Sequence, residues 1–182
     1  MKMKRFLFPF IISTFALTGC NSSSSKSKNK GEKVDYDTFV QLVLEAEKVE
    51  PNHTYAKHTR TTRTAAYSGK SVSEYEKLTP PGGYESEWVC VSGESSMDDI
   101  YDLNTRASNY ILEYEENPNS EFYILDSGFR FYINESGTYE GMQYSFVYNV
   151  KFDQYGCLVD GSYKYSETLD LTSEYRVTIE YK

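Results

Sequence analysis

The chain has 182 residues, with 19 Lys and Arg against 27 Asp and Glu and a formal charge of −8. The basic side chains gather at the start: residues 34–182 hold 12 basic and 26 acidic groups, a charge of −14. Phosphate binding needs clustered Lys and Arg, so a nucleic-acid partner is disfavoured, and the acidic excess reads as a solubility feature.

Lys2, Lys4 and Arg5 precede the apolar stretch Phe6 to Leu17, the order of charge and apolarity found in a secretory signal. A stretch of about a dozen residues is too short for a bilayer, which takes roughly 20. Residues 1–19 are therefore expected to be a signal peptide. The run Leu17-Thr18-Gly19-Cys20 resembles the lipobox of bacterial lipoproteins. That resemblance implies cleavage after Gly19, a diacylglycerol thioether on Cys20 and palmitate-type acylation. It also implies an extracytoplasmic protein of the cell envelope, lipid-anchored to the membrane. Paired acyl chains hold where a single one holds only marginally, each buried CH₂ contributing about 0.8 kcal/mol. Residues 20–33 follow as a Ser- and Lys-rich coil, a tether with a root-mean-square span near 20 Å.

Residues 34–182 have the size of a single domain with a core. Cys90 and Cys157 are an even pair in an exported domain, so a disulfide between them is permitted. Two separate buried thiols fit the same sequence.

In chain order, Asp35 or Asp37 can cap a helix whose stripe is Phe39, Leu42, Val43, Ala46 and Val49, stopped by Pro51. Thr-rich Tyr55–Ala66 reads as a largely exposed strand, and Glu85–Val91 with Trp88 as a shorter one, after the loop at Pro80-Pro81-Gly82-Gly83. A second helix is expected from Ser96 to Asn117, with Ile100, Leu103, Ala107, Tyr110, Ile111 and Tyr114 on one side and Asp98 and Asp99 in its first turn. Glu121–Asp126 and Phe129–Asn134 flank a turn at Ser127-Gly128. Tyr144, Phe146, Tyr148, Val150 and Phe152 share one face of a long strand. The turn Asp153-Gln154-Tyr155-Gly156 then leads into Cys157–Tyr165. Tyr175, Val177, Ile179 and Tyr181 alternate with polar residues in the last strand.

These elements predict an α+β domain: an antiparallel sheet of about seven strands, covered on one face by two helices. The order of elements resembles the LolA/LppX-like envelope lipoproteins, through Val150-Lys151-Phe152-Asp153-Gln154-Tyr155-Gly156-Cys157-Leu158 and the closing Val177-Thr178-Ile179-Glu180-Tyr181. That resemblance implies a curved sheet forming an open half-barrel, lidded by helices over an apolar cavity for acyl chains.

Chemistry is sparse. His53 and His58, five apart on one strand, would point to opposite faces, and no Cys/His cluster with metal-ligand spacing occurs. The pairs Asp98/Asp99 and Glu115/Glu116 read as helix-end solvation and capping, without the spacing of a glycosidase pair or a calcium loop. No catalytic residue, metal site or cofactor is predicted. The unusual quantity is aromatic, 18 Tyr and 10 Phe. Tyr is a good strand former, and it also supplies rigid amphipathic contact surface. If a groove exists, Trp88, Phe129, Phe131, Tyr144, Phe146 and Tyr148 are its expected lining. The expectation is a non-enzymatic, membrane-tethered lipoprotein binding a lipid or other apolar ligand. The alternative is a surface interaction protein that binds an envelope protein or glycan and has no ligand cavity. An enzyme built from dispersed carboxylates is the third reading. Whether side chains fill the space between sheet and helices decides between the first two.

Overall fold

The computed structural model describes residues 31–83, 85–114, 117–167 and 172–182. The expected signal peptide, Cys20, most of the tether, and Glu115 and Glu116 lie outside them. Strand β1, Glu32–Val34, is followed by helix α1, Tyr36–Ala46, then by β2, Tyr55–Arg63, β3, Ser68–Leu78, and β4, Glu87–Ser92. Helices α2, Met97–Asn104, and α3, Ala107–Tyr114, precede β5, Ser120–Leu125, and β6, Gly128–Tyr139. The chain ends with β7, Met142–Asp153, β8, Leu158–Glu167, and β9, Thr172–Tyr181. All nine strands make one antiparallel sheet in the order β1-β5-β6-β7-β8-β9-β2-β3-β4.

The sheet is larger, and the helices shorter, than the sequence predicts. Two strands were not expected. β1 uses Glu32 and Lys33, residues assigned to the tether, and pairs Val34 with Phe122. β3 pairs along its length with β2, from Tyr55↔Glu76 to Arg63↔Ser68. Its core-facing positions are Gly69, Ser71, Ser73, Tyr75 and Lys77, while Val72 and Leu78 face outward and are exposed, so the apolar alternation that marks a strand is missing. The expected second helix is two pieces. At Thr105 the backbone turns extended (ψ 130°), and the Thr105 hydroxyl caps the carbonyl of Tyr101 at 2.8 Å. The Thr105 carbonyl then accepts from Leu158 N, and Ala107 N donates to the Gly156 carbonyl at 2.8 Å. The β7–β8 turn thus competes for the backbone that would have continued the helix.

Turn chemistry fixes the long hairpins. Glu140 and Gly141 both hold positive φ, 51° and 84°, between Tyr139 and its partner Met142. Positive φ at both central residues matches the twist of the flanking strands. The β5–β6 turn is Asp126-Ser127, one residue earlier than expected, because Leu125 pairs with Gly128. Gly128 has φ 142°, and a Cβ there would stand 2.1 Å from the Phe152 carbonyl oxygen.

One sheet face carries the core. Register aligns Phe122, Phe131, Val150, Gly161, Val177 and Arg60 across six neighbouring strands. Strand residues two positions away along the chain share that face. α1 lays Phe39 and Val43 on it, with the Phe39 ring 5.0 Å from Phe122 and 5.9 Å from Phe129. Leu103 of α2 and Ala107 of α3 join the same cluster. Side chains fill the space between sheet and helices: Phe39, Phe131, Ile133, Val150, Phe152 and Leu158 are all fully buried.

Cys90 and Cys157 are free thiols, so the permitted bridge is not formed. Cys90 lies on the edge strand β4 and Cys157 beside the β7–β8 turn, with β9, β2 and β3 between β8 and β4 in the sheet.

Candidate functional site

Strands β6, β7 and β8 run past the helices, and this sets the site. Continuing the core-facing alternation beyond Ile133 and Val150 brings Glu135, Tyr139, Met142, Tyr144, Phe146 and Tyr148 onto the helix-bearing face. Cross-strand pairs add Tyr163, opposite Tyr148, Tyr165, opposite Phe146, and Glu167, opposite Tyr144. Tyr139, Met142, Tyr144, Phe146, Tyr163, Tyr165 and Glu167 line a cleft of about 290 Å³. Tyr139 is 66% exposed.

Two carboxylates fix the ring orientations. The Tyr144 hydroxyl donates to Glu135 Oε1 at 3.1 Å, and the Tyr165 hydroxyl donates to Glu167. Each bond favours the protonated phenol: the Glu135 contact raises Tyr144 above its ordinary range, and Glu167 pushes Tyr165 up to about 12. The rings form a ladder, with Phe146 and Tyr148 6.5 and 6.3 Å from Tyr163. Such a floor offers flat apolar faces flanked by hydroxyls and carboxylates. The opposite face of the same strand ends bears a polar hollow of about 540 Å³, lined by Ser136, Thr138, Gln143, Ser145 and Ser166 among others.

The six residues expected to line a groove divide among three places. Tyr144 and Phe146 line the aromatic cleft. Tyr148 stands at its border with the core, 5.9 Å from the Tyr110 ring. Phe129 and Phe131, 7% and 1% exposed, are core residues beneath α1 rather than ligand contacts. Trp88 is at the opposite end of the fold, 6.1 Å from Tyr181. One strand face carries all the correct members, because alternation predicts a face but not where its cover ends.

The histidines depart from expectation. His53 precedes β2, so strand parity does not apply, and both rings turn inward, each to a carboxylate. His58, 1% exposed, sets Nε2 2.9 Å from Asp102 Oδ2 and Nδ1 3.5 Å from Asp99 Oδ1. Arg60 bonds Asp98, Asp99 and Asp102 at 2.9–3.3 Å, and the Tyr75 hydroxyl donates to Asp99 Oδ2 at 2.9 Å. This buried network fastens α2 to β2 and β3. Asp99 therefore does more than cap a helix, although it also joins the Ser96 N-cap. Most of the network's polar atoms face one another, and Arg60 Nε alone among them is buried without a partner among the described residues.

His53 Nε2 lies 2.8 Å from Asp153 Oδ2. With Cys157 they make a cluster whose nitrogen, oxygen and sulfur atoms lie within 4.8 Å of one another. A hundred residues separate His53 from Asp153, which is why no motif spacing betrays the group.

No protein-family model, curated protein or solved structure matches this chain.

Proposed function

We propose that the protein is a non-enzymatic, extracytoplasmic binding lipoprotein, fastened to the membrane through Cys20, that grips a neutral envelope glycan with its open aromatic cleft. The supporting observation is where empty space falls. Side chains occupy the region between sheet and helices, so an enclosed acyl-chain cavity of the half-barrel kind has no room there among the described residues. The uncovered strand ends instead present Tyr139, Tyr144, Tyr163 and Tyr165 beside Glu135 and Glu167. Tyr rings give broad contact at low entropic cost, and the paired carboxylates accept hydroxyl donors. The same carboxylates and the domain's charge of −14 weigh against an anionic partner.

Titrating the protein with neutral cell-wall glycan fragments, followed by NMR, tests the reading. Shifts should centre on residues 139–146 and 163–167, and the double variant Tyr144→Ala/Tyr163→Ala should weaken binding at least tenfold. Lipid co-purifying with the wild-type protein in native mass spectrometry, with no glycan shifts, would replace the glycan by an apolar ligand. The anchor has its own test: Cys20→Ser should move the mature protein from the membrane to the soluble fraction and remove its acyl mass.

A further inference from the structure

At the ends of β7 and β8 remote from the aromatic cleft, the segment before β2 meets the β7–β8 turn and the end of β9. Asp153 organises the turn: its Oδ1 accepts from the backbone N–H of Tyr155 and of Cys157, each at 2.9 Å. This leaves Oδ2 aimed at His53 Nε2, 2.8 Å away. The His53 ring is clamped, stacked on Tyr181 at 4.3 Å and 14° and edge-on to Tyr155 at 5.7 Å. The Cys157 sulfur accepts from Arg106 Nη1 at 3.0 Å. His53, Cys157 and Tyr181 line a pocket of about 140 Å³. The Tyr181 hydroxyl is buried without a protein partner.

We propose that His53, Asp153 and Cys157 form a binding site for a borderline-soft divalent cation, zinc foremost, with a fourth position left to water. Imidazole, carboxylate and thiolate are the ligand types such ions take, and three protein ligands plus water is a common zinc arrangement. The ligand atoms stand close to the required spacing. Tetrahedral N and O ligands at about 2.0–2.1 Å from zinc lie roughly 3.3 Å apart, so the His53–Asp153 pair opens by about 0.5 Å. The sulfur, within 4.8 Å of the other two donor atoms, has to stand roughly 3.5 Å from the nitrogen, an adjustment within reach of a side-chain rotation at Cys157.

The surroundings supply the outer shell that metal ligands need. The two backbone N–H groups orient Asp153, and Arg106 donates to the sulfur and steadies it as thiolate. Lys77, the other cation lining the pocket, is 3.6 Å from Glu50. Tyr181 gains its missing hydrogen-bond partner in the water on the metal. On binding, the Cys157 thiol proton leaves to solvent. The hydrogen that Nε2 donates to Asp153 passes through solvent to Nδ1, so the ring stays neutral. No electrons change hands. Thiolate and carboxylate together balance the dication.

The test uses the purified full-length chain, stripped with chelator and titrated with zinc in a calorimeter and with cobalt in a spectrophotometer. One equivalent of zinc should bind, and cobalt should produce the absorption of a thiolate–cobalt bond. Cys157→Ser should abolish that absorption, and His53→Gln should weaken zinc binding at least tenfold, while Cys90→Ser changes neither. Failure of the wild-type protein to bind an equivalent of zinc, or cobalt binding without the thiolate band, would overturn the site. So would wild-type affinity in both ligand variants. The wild-type cobalt spectrum decides the matter even if a variant misfolds.

Discussion

A single ring, Phe39, joins the first helix to two strands at once. It is 1% exposed and touches Phe122 and Phe129. Truncation of a buried Phe removes its transfer energy and leaves a cavity, so Phe39→Ala should cost about 3–5 kcal/mol in urea denaturation. Tyr181 behaves in the opposite sense. Its hydroxyl is buried without a protein partner, and desolvation pushes its pKa well above the ordinary range. Removing an unpaired polar atom recovers its desolvation cost. Tyr181→Phe should therefore leave the metal-free protein as stable as the wild type, or up to about 2 kcal/mol more stable. A loss of more than about 1 kcal/mol in the same denaturation would mean the hydroxyl is bonded after all.

Between elements, α2 is tied to β2 and β3 through Asp99. Its carboxylate accepts from Ser96, Arg60 and Tyr75. Removing one member of a buried charged network strands the others, so Asp99→Ala should cost about 3–5 kcal/mol by thermal or urea unfolding. Ser96→Ala, which removes the cap and one of the three donors to Asp99 but leaves no charge stranded, should cost about 1–2 kcal/mol. The relation between sequence and structure differs from one element to the next. β7 and β9 are legible because one face is apolar throughout and the other polar but for Val147. α1 is legible through its Asp35 cap and the buried pair Phe39 and Val43, although the helix ends at Ala46, short of Pro51, and leaves Leu42 and Val49 exposed. β3 hides because its core-facing positions are small or polar except Tyr75, while its aliphatic residues, Val72 and Leu78, face outward. The break between α2 and α3 is invisible locally, since it comes from backbone bonds to a turn some fifty residues onward. The aromatic cleft was half legible: Tyr144 and Phe146 follow from alternation, whereas Tyr139, Tyr163 and Tyr165 need the register of three strands.

Across the whole molecule, several protons are trapped by the fold. Burial pushes Cys157 up to about 12 from an ordinary 9.0, lifts Tyr175 to about 12, and drives Tyr181 higher still. All three are neutral when protonated. As pH rises, the unfolded chain sheds these protons before the folded one does. The stability they carry is intact below about pH 9 and drains away as the pH climbs from there toward 12. Melting temperatures taken across that range should fall steeply, and Cys157→Ser should delay the onset. At pH 8, Cys157 in the metal-free protein should resist iodoacetamide until the chain is unfolded, because the reagent attacks thiolate.

The three-residue β1 lies where the chain outside the described residues joins the sheet, held by three positions opposite β5 and by Lys33 Nζ to Glu121 Oε1 at 2.7 Å. Any tension drawn along that leading segment reaches this short edge before it reaches the Phe39 cluster. A pull at that end would peel β1 from the sheet edge first and leave the registers of β6, β7 and β8 untouched.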